Sequence, residues 1–307
     1  MSKMYLMRKG VSTLSDLKNW QEAFGDPGMG NAYYVNGGSD GPTGATGLGT
    51  KESPFQTIKE AMAKCTSGND DYIYVLNYGS NGRAAETWPI AVAKDQLHII
   101  GLRATEGSKW STVKPAASAT PNAFTVTGQR CEFAGLEIGG YSTGSGIEIG
   151  NGVWGTTIHD CWFGITGDTA GTHGVYVASG ADAPYLCIYD CHFGASLTGD
   201  GIRIAGNATR GFLGIKNHGN IFRRIAGIAI NVSGSAVGIE IIGNRFDMAA
   251  DTVGDAITLA AGTSACYIED NDCAYSEAAV TTKYYVDGAT NANNWGNNRV
   301  SGALLYP

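Results

Sequence analysis

The sequence predicts an all-β fold, a single-stranded right-handed parallel β-helix of about eight or nine coils of roughly 27 residues each. Two short units that recur at the same spacing predict this fold, together with a glycine content that suits frequent turns. Glycine accounts for 45 of the 307 residues and proline for only 8, without a collagen-like period. A coil of this length cannot bury its apolar face alone, so neighbouring coils must stack.

The first unit is a small residue followed by an apolar, a variable and a second apolar residue. This alternation is typical of a short strand with one buried face. The copies are Gly146-Ile147-Glu148-Ile149, Gly174-Val175-Tyr176-Val177, Gly201-Ile202-Arg203-Ile204, Gly227-Ile228-Ala229-Ile230, Ala256-Ile257-Thr258-Leu259 and the looser Lys283-Tyr284-Tyr285-Val286. We expect the variable positions to form one outward row of Glu148, Tyr176, Arg203, Ala229, Thr258 and Tyr285.

The second unit begins with Cys or Asn and ends two residues later in an apolar residue, out of phase with the first unit. Stacked coils lie about 4.8 Å apart, the spacing of paired strands. The unit therefore predicts an interior stack of Phe163, Phe193, Phe222 and Phe246. It also predicts a buried ladder of Asn220, Asn244, Asn271 and Asn298, whose amides can bind each other and the turn carbonyls. We expect the stack and the ladder to be structural, with Cys161 and Cys191 in the same slot as the asparagines.

The first third of the chain is less regular, but several segments have the alternation of strands. Before them, the sequence predicts a strand over 32–36 and a capping helix over about 53–66. Ser53 suits the N-cap and Pro54 the first turn of that helix. Its apolar face would close the N-terminal end of the solenoid, where an open strand edge needs cover. That face consists of Phe55, Ile58, Met62 and Cys65.

Two regions follow from this pattern, an N-terminal segment over residues 1–31 and a β-helix domain over residues 32–307. Within the segment, residues 13–24 have the pattern of a helix with one apolar side, formed by Leu14, Leu17, Trp20 and Phe24. This side either folds back on the solenoid or docks on a partner protein, and the sequence leaves both open.

Composition excludes several classes of function. A net charge of −7 argues against nucleic-acid binding, which needs a basic face. No segment reaches the roughly 18 apolar residues of a membrane span. The N-terminus does not resemble a signal peptide, so we expect synthesis in a cytoplasm. The seven cysteines lack zinc-site spacing, and no cofactor or metal motif is present, so we expect free thiols and no cofactor or metal.

One stretch carries a more specific resemblance. Tyr33-Tyr34-Val35-Asn36, the Asp40-Gly41 turn, the segment from Ser53 to Ile58 and Tyr72-Ile73-Tyr74-Val75 follow one another in this order. This order resembles the opening of pectate-lyase-like right-handed β-helix proteins, which is frequent in bacteriophage tailspikes and other virion proteins. The resemblance covers about residues 32–80, and the coil pattern extends it to the C-terminus. It implies the fold rather than one function, because this fold hosts lyases, hydrolases, adhesins and inert scaffolds.

The best catalytic candidates are Asp160 and Asp190, flanked by His159 and His192. The two aspartates occupy equivalent positions on neighbouring coils, just before the ladder slot. Sugar hydrolysis needs two carboxyl groups roughly 5–9.5 Å apart, which such a pair approaches. The alternative is that both aspartates cap turns by accepting backbone N–H groups. If the protein is an enzyme, these residues predict a polysaccharide hydrolase or lyase.

The resemblance and the short chain together favour a structural role. We expect a bacteriophage virion protein of the capsid decoration or cement type, because the head-binding and C-terminal trimerisation regions of tailspikes have no counterpart here. It would form a homotrimer, bind other virion proteins of the capsid or tail, and reach the virion from the host bacterial cytoplasm. The alternative is a tailspike or tail-fibre protein that binds or depolymerises a bacterial surface polysaccharide.

Overall fold

The computed structural model describes residues 30–38, 47–77, 86–102, 111–113, 122–139, 143–164, 171–194, 196–248, 255–275, 285–288, 292–300 and 303–304. Within these ranges the chain consists of short β-strands and one helix. The predicted all-β parallel β-helix is therefore confirmed. The segment with Leu14, Leu17, Trp20 and Phe24 lies outside the described residues.

The strands of the described residues form three long sheets, of which the largest has ten strands. All neighbours in this ten-stranded sheet are parallel. Its strands, in spatial order, are β1 (Ala32–Asn36), β2 (Asp71–Asn77), β4 (Leu97–Gly101), β7 (Glu132–Ala134), β10 (Thr157–His159), β13 (Cys187–Tyr189), β17 (Phe212–Leu213), β21 (Glu240–Ile242), β24 (Tyr267–Glu269) and β27 (Asn294–Gly296).

The other two long sheets have nine and eight strands in the described residues. The nine-stranded sheet contains β5 (Ser111–Val113), β8 (Leu136–Ile138), β11 (Trp162–Phe163), β14 (His192–Phe193), β18 (Ile221–Arg223), β22 (Arg245–Met248), β25 (Asp272–Tyr275), β28 (Arg299–Val300) and β29 (Ala303–Leu304). The eight-stranded sheet contains β3 (Ile90–Val92), β6 (Phe124–Val126), β9 (Ser145–Ile149), β12 (His173–Val177), β15 (Ile202–Ile204), β19 (Ile230–Val232), β23 (Ile257–Leu259) and β26 (Tyr285–Asp287). A short pair of β16 (Asn207–Thr209) and β20 (Ser235–Val237) lies at one corner.

Each complete turn of the solenoid contributes one strand to each long sheet in the same order. In the described residues, the turns with a strand in all three sheets are slightly fewer than the predicted eight or nine, because the first and last turns reach only one or two sheets. At the C-terminal end, β29 pairs antiparallel with β28. This pairing covers an edge that would otherwise present unpaired backbone groups.

The outward row of the eight-stranded sheet differs from the prediction at two positions. Arg203 pairs with Asn231 rather than with Ala229, and Thr258 pairs with Val286 rather than with Tyr285. Ala229 and Tyr285 are buried instead. In the fourth copy the register is shifted by two residues, so Ala229 takes the position of the small residue before the strand; in the sixth copy it is shifted by one residue, which exchanges the faces of Tyr285 and Val286.

The phenylalanines of the second unit form a continuous interior stack. The ring centroids of Phe163 and Phe193 are 5.0 Å apart, those of Phe193 and Phe222 are 4.7 Å apart, and those of Phe222 and Phe246 are 5.1 Å apart. The rings are buried and nearly parallel. The stack also explains the small residue of the first unit, because a Cβ on Gly174 would lie 2.6 Å from the ring of Phe193.

The asparagines form a buried ladder at the turn between the ten-stranded and nine-stranded sheets. The amide nitrogen of Asn220 donates to Oδ1 of Asn244 at 3.0 Å, and the same bond continues through Asn271 to Asn298. Each amide also donates to a carbonyl of the preceding coil. Cys191 occupies the same slot, and its thiol likewise donates to a carbonyl of the preceding coil. The ladder therefore satisfies buried polar groups on every coil that it crosses.

The N-terminal helix, α1 (Ile58–Lys64), is shorter than predicted and begins later. Its N-cap is Thr57 rather than Ser53, and Thr57 forms a capping box with Glu60. The chain before it stays extended because Phe55 bridges to Val35 of β1 and exchanges backbone hydrogen bonds with that strand. The predicted apolar face is nevertheless buried: Phe55, Ile58, Met62 and Cys65 all belong to the solenoid core.

We predict that Asn244→Ala destabilises the fold by about 2–4 kcal/mol, because it leaves the backbone N–H of Asn220 and the carbonyl of Leu213 without their partners. Urea denaturation measures this loss. Arg245→Ala is the control, because Arg245 is the exposed neighbour and its loss should cost under about 0.5 kcal/mol. Equal midpoints for the two variants would contradict a stabilising role for the ladder.

Candidate functional site

The outer face of the ten-stranded sheet carries a group of titratable side chains near its N-terminal end. Strand register places Tyr72, His98 and Glu132 in one outward column on β2, β4 and β7. His159 belongs to the second outward column, on β10, beside Tyr189 on β13. Parallel strands with alternating side chains thus bring residues that are far apart in sequence onto one surface.

Glu132 is the centre of this group because it binds two imidazoles. Its Oε2 lies 2.5 Å from Nδ1 of His98, and its Oε1 lies 2.8 Å from Nε2 of His159. The second nitrogen of each imidazole faces another carboxylate: Nε2 of His98 is 3.4 Å from Asp70, and Nδ1 of His159 is 2.8 Å from Asp160. We call Asp70, His98, Glu132, His159 and Asp160 the acid–imidazole network.

The contacts of the network fix the charges of Glu132 and His159. Burial by itself would raise the pKa of Glu132, but the hydrogen bonds from His159 and His98 outweigh it and lower this pKa to about 2. Burial by itself would lower the pKa of His159, but its hydrogen bonds to Asp160 and Glu132 raise it to about 10. At neutral pH the site therefore holds an ionised carboxylate and an imidazolium in direct contact.

Aromatic rings pack against both imidazoles of the network. Tyr72 stacks on His98 with ring centroids 4.3 Å apart and an interplanar angle of 9°, and Tyr189 stacks on His159 at 5.0 Å and 4°. Tyr72 and the neighbouring Tyr74, 5.9 Å away, are buried, whereas Tyr189 is half-buried. The ring of Tyr189 therefore extends the outer surface beside His159.

The structure separates the four predicted catalytic residues into different contacts. Asp160 and Asp190 occupy equivalent turns of successive coils, both with left-handed backbone conformation. Each carboxylate binds a different imidazole, because Asp160 contacts His159 and Asp190 contacts His218 at 2.7 Å. His192 lies on the nine-stranded sheet, where its ring centroid is 6.0 Å from that of Trp162.

Three members of the acid–imidazole network and one further histidine were not found from the sequence. Asp70, His98 and Glu132 belong to the irregular early coils, where no repeat fixes the register. His218 lies in a turn between two repeat units. The sequence offers one signal for His98 and Glu132. Each lies directly before an apolar residue in a segment with the alternation of a strand, so each is expected to point outward.

A second polar group lies on the eight-stranded sheet around Asp200. Its carboxylate accepts hydrogen bonds from the backbone of Ile228 at 2.8 Å and from the side chain of Asn231 at 3.0 Å, and it lies 3.7 Å from Arg203. The backbone N–H of Asp200 donates to Nδ1 of His173. Burial lowers the pKa of His173. These contacts tie three coils together, which explains them as structural.

Metal-ligand clusters, membrane-spanning helices and disulfides are absent from the part of the chain that the structure describes. No cluster of three or more histidine, cysteine, aspartate or glutamate side chains with the geometry of a metal site occurs there. Across the same residues, no helix has both the length and the apolar character of a membrane span. The cysteines in these ranges are free, and burial raises the pKa of Cys65 to about 12 and that of Cys131 to about 11.

Comparison with known proteins supports the fold. No protein-family model matches the sequence, and no curated protein matches it. Among solved structures, a pectin methylesterase from Aspergillus niger superposes with a TM-score of 0.50 at 12% identity over 86% of this chain and 88% of that one. A pectin methylesterase mutant in complex with a hexasaccharide gives 0.51 at 11% identity over 91% of each chain. An alginate lyase from Paenibacillus gives 0.44 at 14% identity over 79% of this chain and 95% of that one, too low a score to support an argument. These identities show a shared fold alone.

We predict that Glu132→Gln lowers stability in a pH-dependent manner. The contribution of Glu132 is complete above its ordinary pKa of 4.5 and is lost as the pH falls through about 2. The contribution of His159 is complete below its ordinary pKa of 6.5 and is lost as the pH rises through about 10. The difference in unfolding free energy between wild type and variant should therefore be largest between about pH 4.5 and 6.5.

Urea denaturation across pH 3–10 measures this difference. Glu240→Gln is the matched control, because Glu240 occupies the same outward column further along the sheet and no hydrogen bond from it to histidine occurs in the described residues. A difference for Glu132→Gln that stays constant from pH 5 to pH 10 would contradict the charges assigned to the network.

Proposed function

We propose that this protein binds an extended carbohydrate polymer along the outer face of the ten-stranded sheet. The observation that carries the proposal is the acid–imidazole network beside the half-buried ring of Tyr189. Aromatic faces suit the apolar faces of sugar rings, and carboxylate oxygens accept hydrogen bonds from sugar hydroxyl groups. The core of the sheet does not require this partly buried ionic group on its outer side. Residues with shifted pKa values concentrate at functional sites.

The dimensions of the face also suit a polymer. Neighbouring strands lie about 4.8 Å apart, which is close to the length of one pyranose unit in an extended chain. A polymer that lies along the solenoid axis would therefore meet one coil per sugar. The similarity in fold to a pectin methylesterase in complex with a hexasaccharide is consistent with this use of the solenoid.

The network favours binding over cleavage. A general base needs a free lone pair within reach of the proton that it removes. Both ring nitrogens of His159 and both of His98 face carboxylates of the network, so neither imidazole offers a free lone pair. The carboxylates of Asp160 and Asp190 each bind an imidazole as well, so the hydrolase pair has weaker support than a binding surface.

Replacing the half-buried ring of Tyr189 tests the binding face. We predict that Tyr189→Ala weakens binding to a long polysaccharide about fivefold, since a stacked ring contributes about 1 kcal/mol. Affinity electrophoresis against a panel of bacterial surface polysaccharides measures the effect, and chain length after incubation shows whether any of them is cut. The control is Tyr176→Ala, which removes a half-buried tyrosine from the eight-stranded sheet. Undiminished binding by Tyr189→Ala would contradict the proposed face.

The second candidate is the structural role in a bacteriophage virion, with other virion proteins as partners and a homotrimer as the assembly. Exposed apolar side chains at one corner of the solenoid favour it: Val237 is 47% and Tyr267 is 48% exposed. Such positions suit side-to-side contact between protein subunits. In this role residues 1–31 would dock on a neighbouring virion protein, and helix α1 would close the N-terminal end of the solenoid.

Oligomeric state tests the structural role. We predict that the purified protein sediments as a trimer and that Val237→Lys with Tyr267→Lys shifts it to the monomer, because the added charges would be buried in the contact. Analytical ultracentrifugation measures both species. Thr258→Lys, on the outer face of the eight-stranded sheet, is the control. A monomeric wild type at all concentrations would remove the support for this candidate.

A further inference from the structure

Two arginines and two aromatic residues line the corner where the chain enters the ten-stranded sheet. They occur on four successive coils, at the turns before β7, β10, β13 and β17. Backbone hydrogen bonds link these turns: Arg130 donates to the carbonyl of Trp154 at 2.8 Å, and Tyr185 donates to that of Thr209 at 2.8 Å. Arg210 follows Thr209 directly. We call Arg130, Trp154, Tyr185 and Arg210 the arginine–aromatic edge.

Each arginine of the edge contacts an aromatic ring. The guanidinium carbon of Arg130 lies 4.9 Å from the ring centroid of Trp154, and Nη1 of Arg210 donates to the hydroxyl of Tyr185 at 3.2 Å. Trp154 is 37% and Tyr185 is 44% exposed, and both arginines are exposed. These contacts orient two long cationic side chains without covering them.

Neither guanidinium is neutralised by a carboxylate in the described residues. Elsewhere in those ranges, Arg203 and Arg223 each have an aspartate within 3.7 Å, but no ion pair joins Arg130 or Arg210 to an acidic side chain there. The protein as a whole has a net charge of −7. The edge is therefore a distinct local feature of an acidic protein. It combines two oriented arginines, which have no ion-pair partner in the described residues, with two exposed rings.

From this arrangement, we infer that the arginine–aromatic edge is a binding site for an anionic carbohydrate whose carboxylate or sulfate groups pair with Arg130 and Arg210. The inference rests on the proposed glycan-binding function and names the charge class of the ligand. The guanidinium fork matches the geometry of a carboxylate or sulfate, and Trp154 and Tyr185 offer faces for the intervening sugar rings. The two arginines are three coil spacings apart, about 14 Å, so four consecutive sugars span the edge.

The edge adjoins the acid–imidazole network without opposing it. Arg130 lies in the turn two residues before Glu132, the first residue of β7, so the edge and the network are neighbours on that coil. The carboxylate of Glu132 is held by His98 and His159. A polymer could thus place its anionic groups over the edge and its hydroxyl groups over the network.

Binding of three probe polysaccharides tests the inference: alginate as the carboxylated probe, dextran sulfate as the sulfated probe and dextran as the neutral one. We expect the wild type to bind at least one anionic probe ten times or more tightly than dextran. Arg130→Gln with Arg210→Gln should remove that preference and leave binding to dextran unchanged. The anionic probe that binds more tightly identifies the acidic group of the ligand. Arg130→Lys with Arg210→Lys should keep the preference only in part, because lysine lacks the planar fork of arginine.

The control variant changes the net charge by the same amount on a different face of the protein. Arg245→Gln with Arg299→Gln removes two exposed arginines from the nine-stranded sheet and should leave the preference intact. An equal loss in both double variants would attribute the effect to net charge and overturn the inference. Equal wild-type affinity for dextran and the anionic probes would overturn it too, while the proposed function stands. No binding to any polysaccharide, these probes and the surface-glycan panel included, would remove both.

Discussion

The structure depends on one constraint, the exact repetition of buried hydrogen-bonding groups from coil to coil. An amide in the core is tolerated only when all of its donors and acceptors have partners. Asn220, Asn244, Asn271 and Asn298 meet this condition by binding one another and the carbonyls of the preceding coil. A slip of one residue would break every bond in the row and place polar groups against phenylalanine rings. The ladder therefore fixes the register of the coils that it crosses.

A fixed register also determines the outer surface. Because side chains alternate between the two faces of a strand, the buried position of Ile99, Phe133 and Ile158 forces their neighbours outward. His98 and Glu132 consequently meet on adjacent strands. His98, Glu132 and His159 of the acid–imidazole network thus lie on strands, and Asp70 and Asp160 lie in the turns directly beside strands. The three strand residues are held by backbone pairing that the core already stabilises.

The interior and the exterior of this protein carry different kinds of information. The fold that the interior repeats build is what the molecule has in common with solved structures at 11–12% identity, and a shared fold says nothing about a ligand. The exterior is where charge and aromatic character are arranged unevenly: a carboxylate-rich group lies on the face of one sheet, and two exposed arginines lie at its edge. A ligand or partner would meet these outward residues, and carbohydrate binding and virion assembly differ in which of them would be covered.

The sequence by itself determined the parallel β-helix, the phenylalanine stack and the asparagine ladder, because these are periodic and each copy predicts the next. Only the tertiary structure decided the contacts in the places where the sequence departs from its repeat. Glu132 lies 34 residues after His98 and 27 before His159, and unequal turns between them hide their contact from any search at one spacing. The same irregular turns buried Ala229 and Tyr285 and moved the start of the helix to Thr57. Burial that repeats at a fixed spacing can be read from the sequence. Contacts between side chains across turns of unequal length are a property of the folded coil.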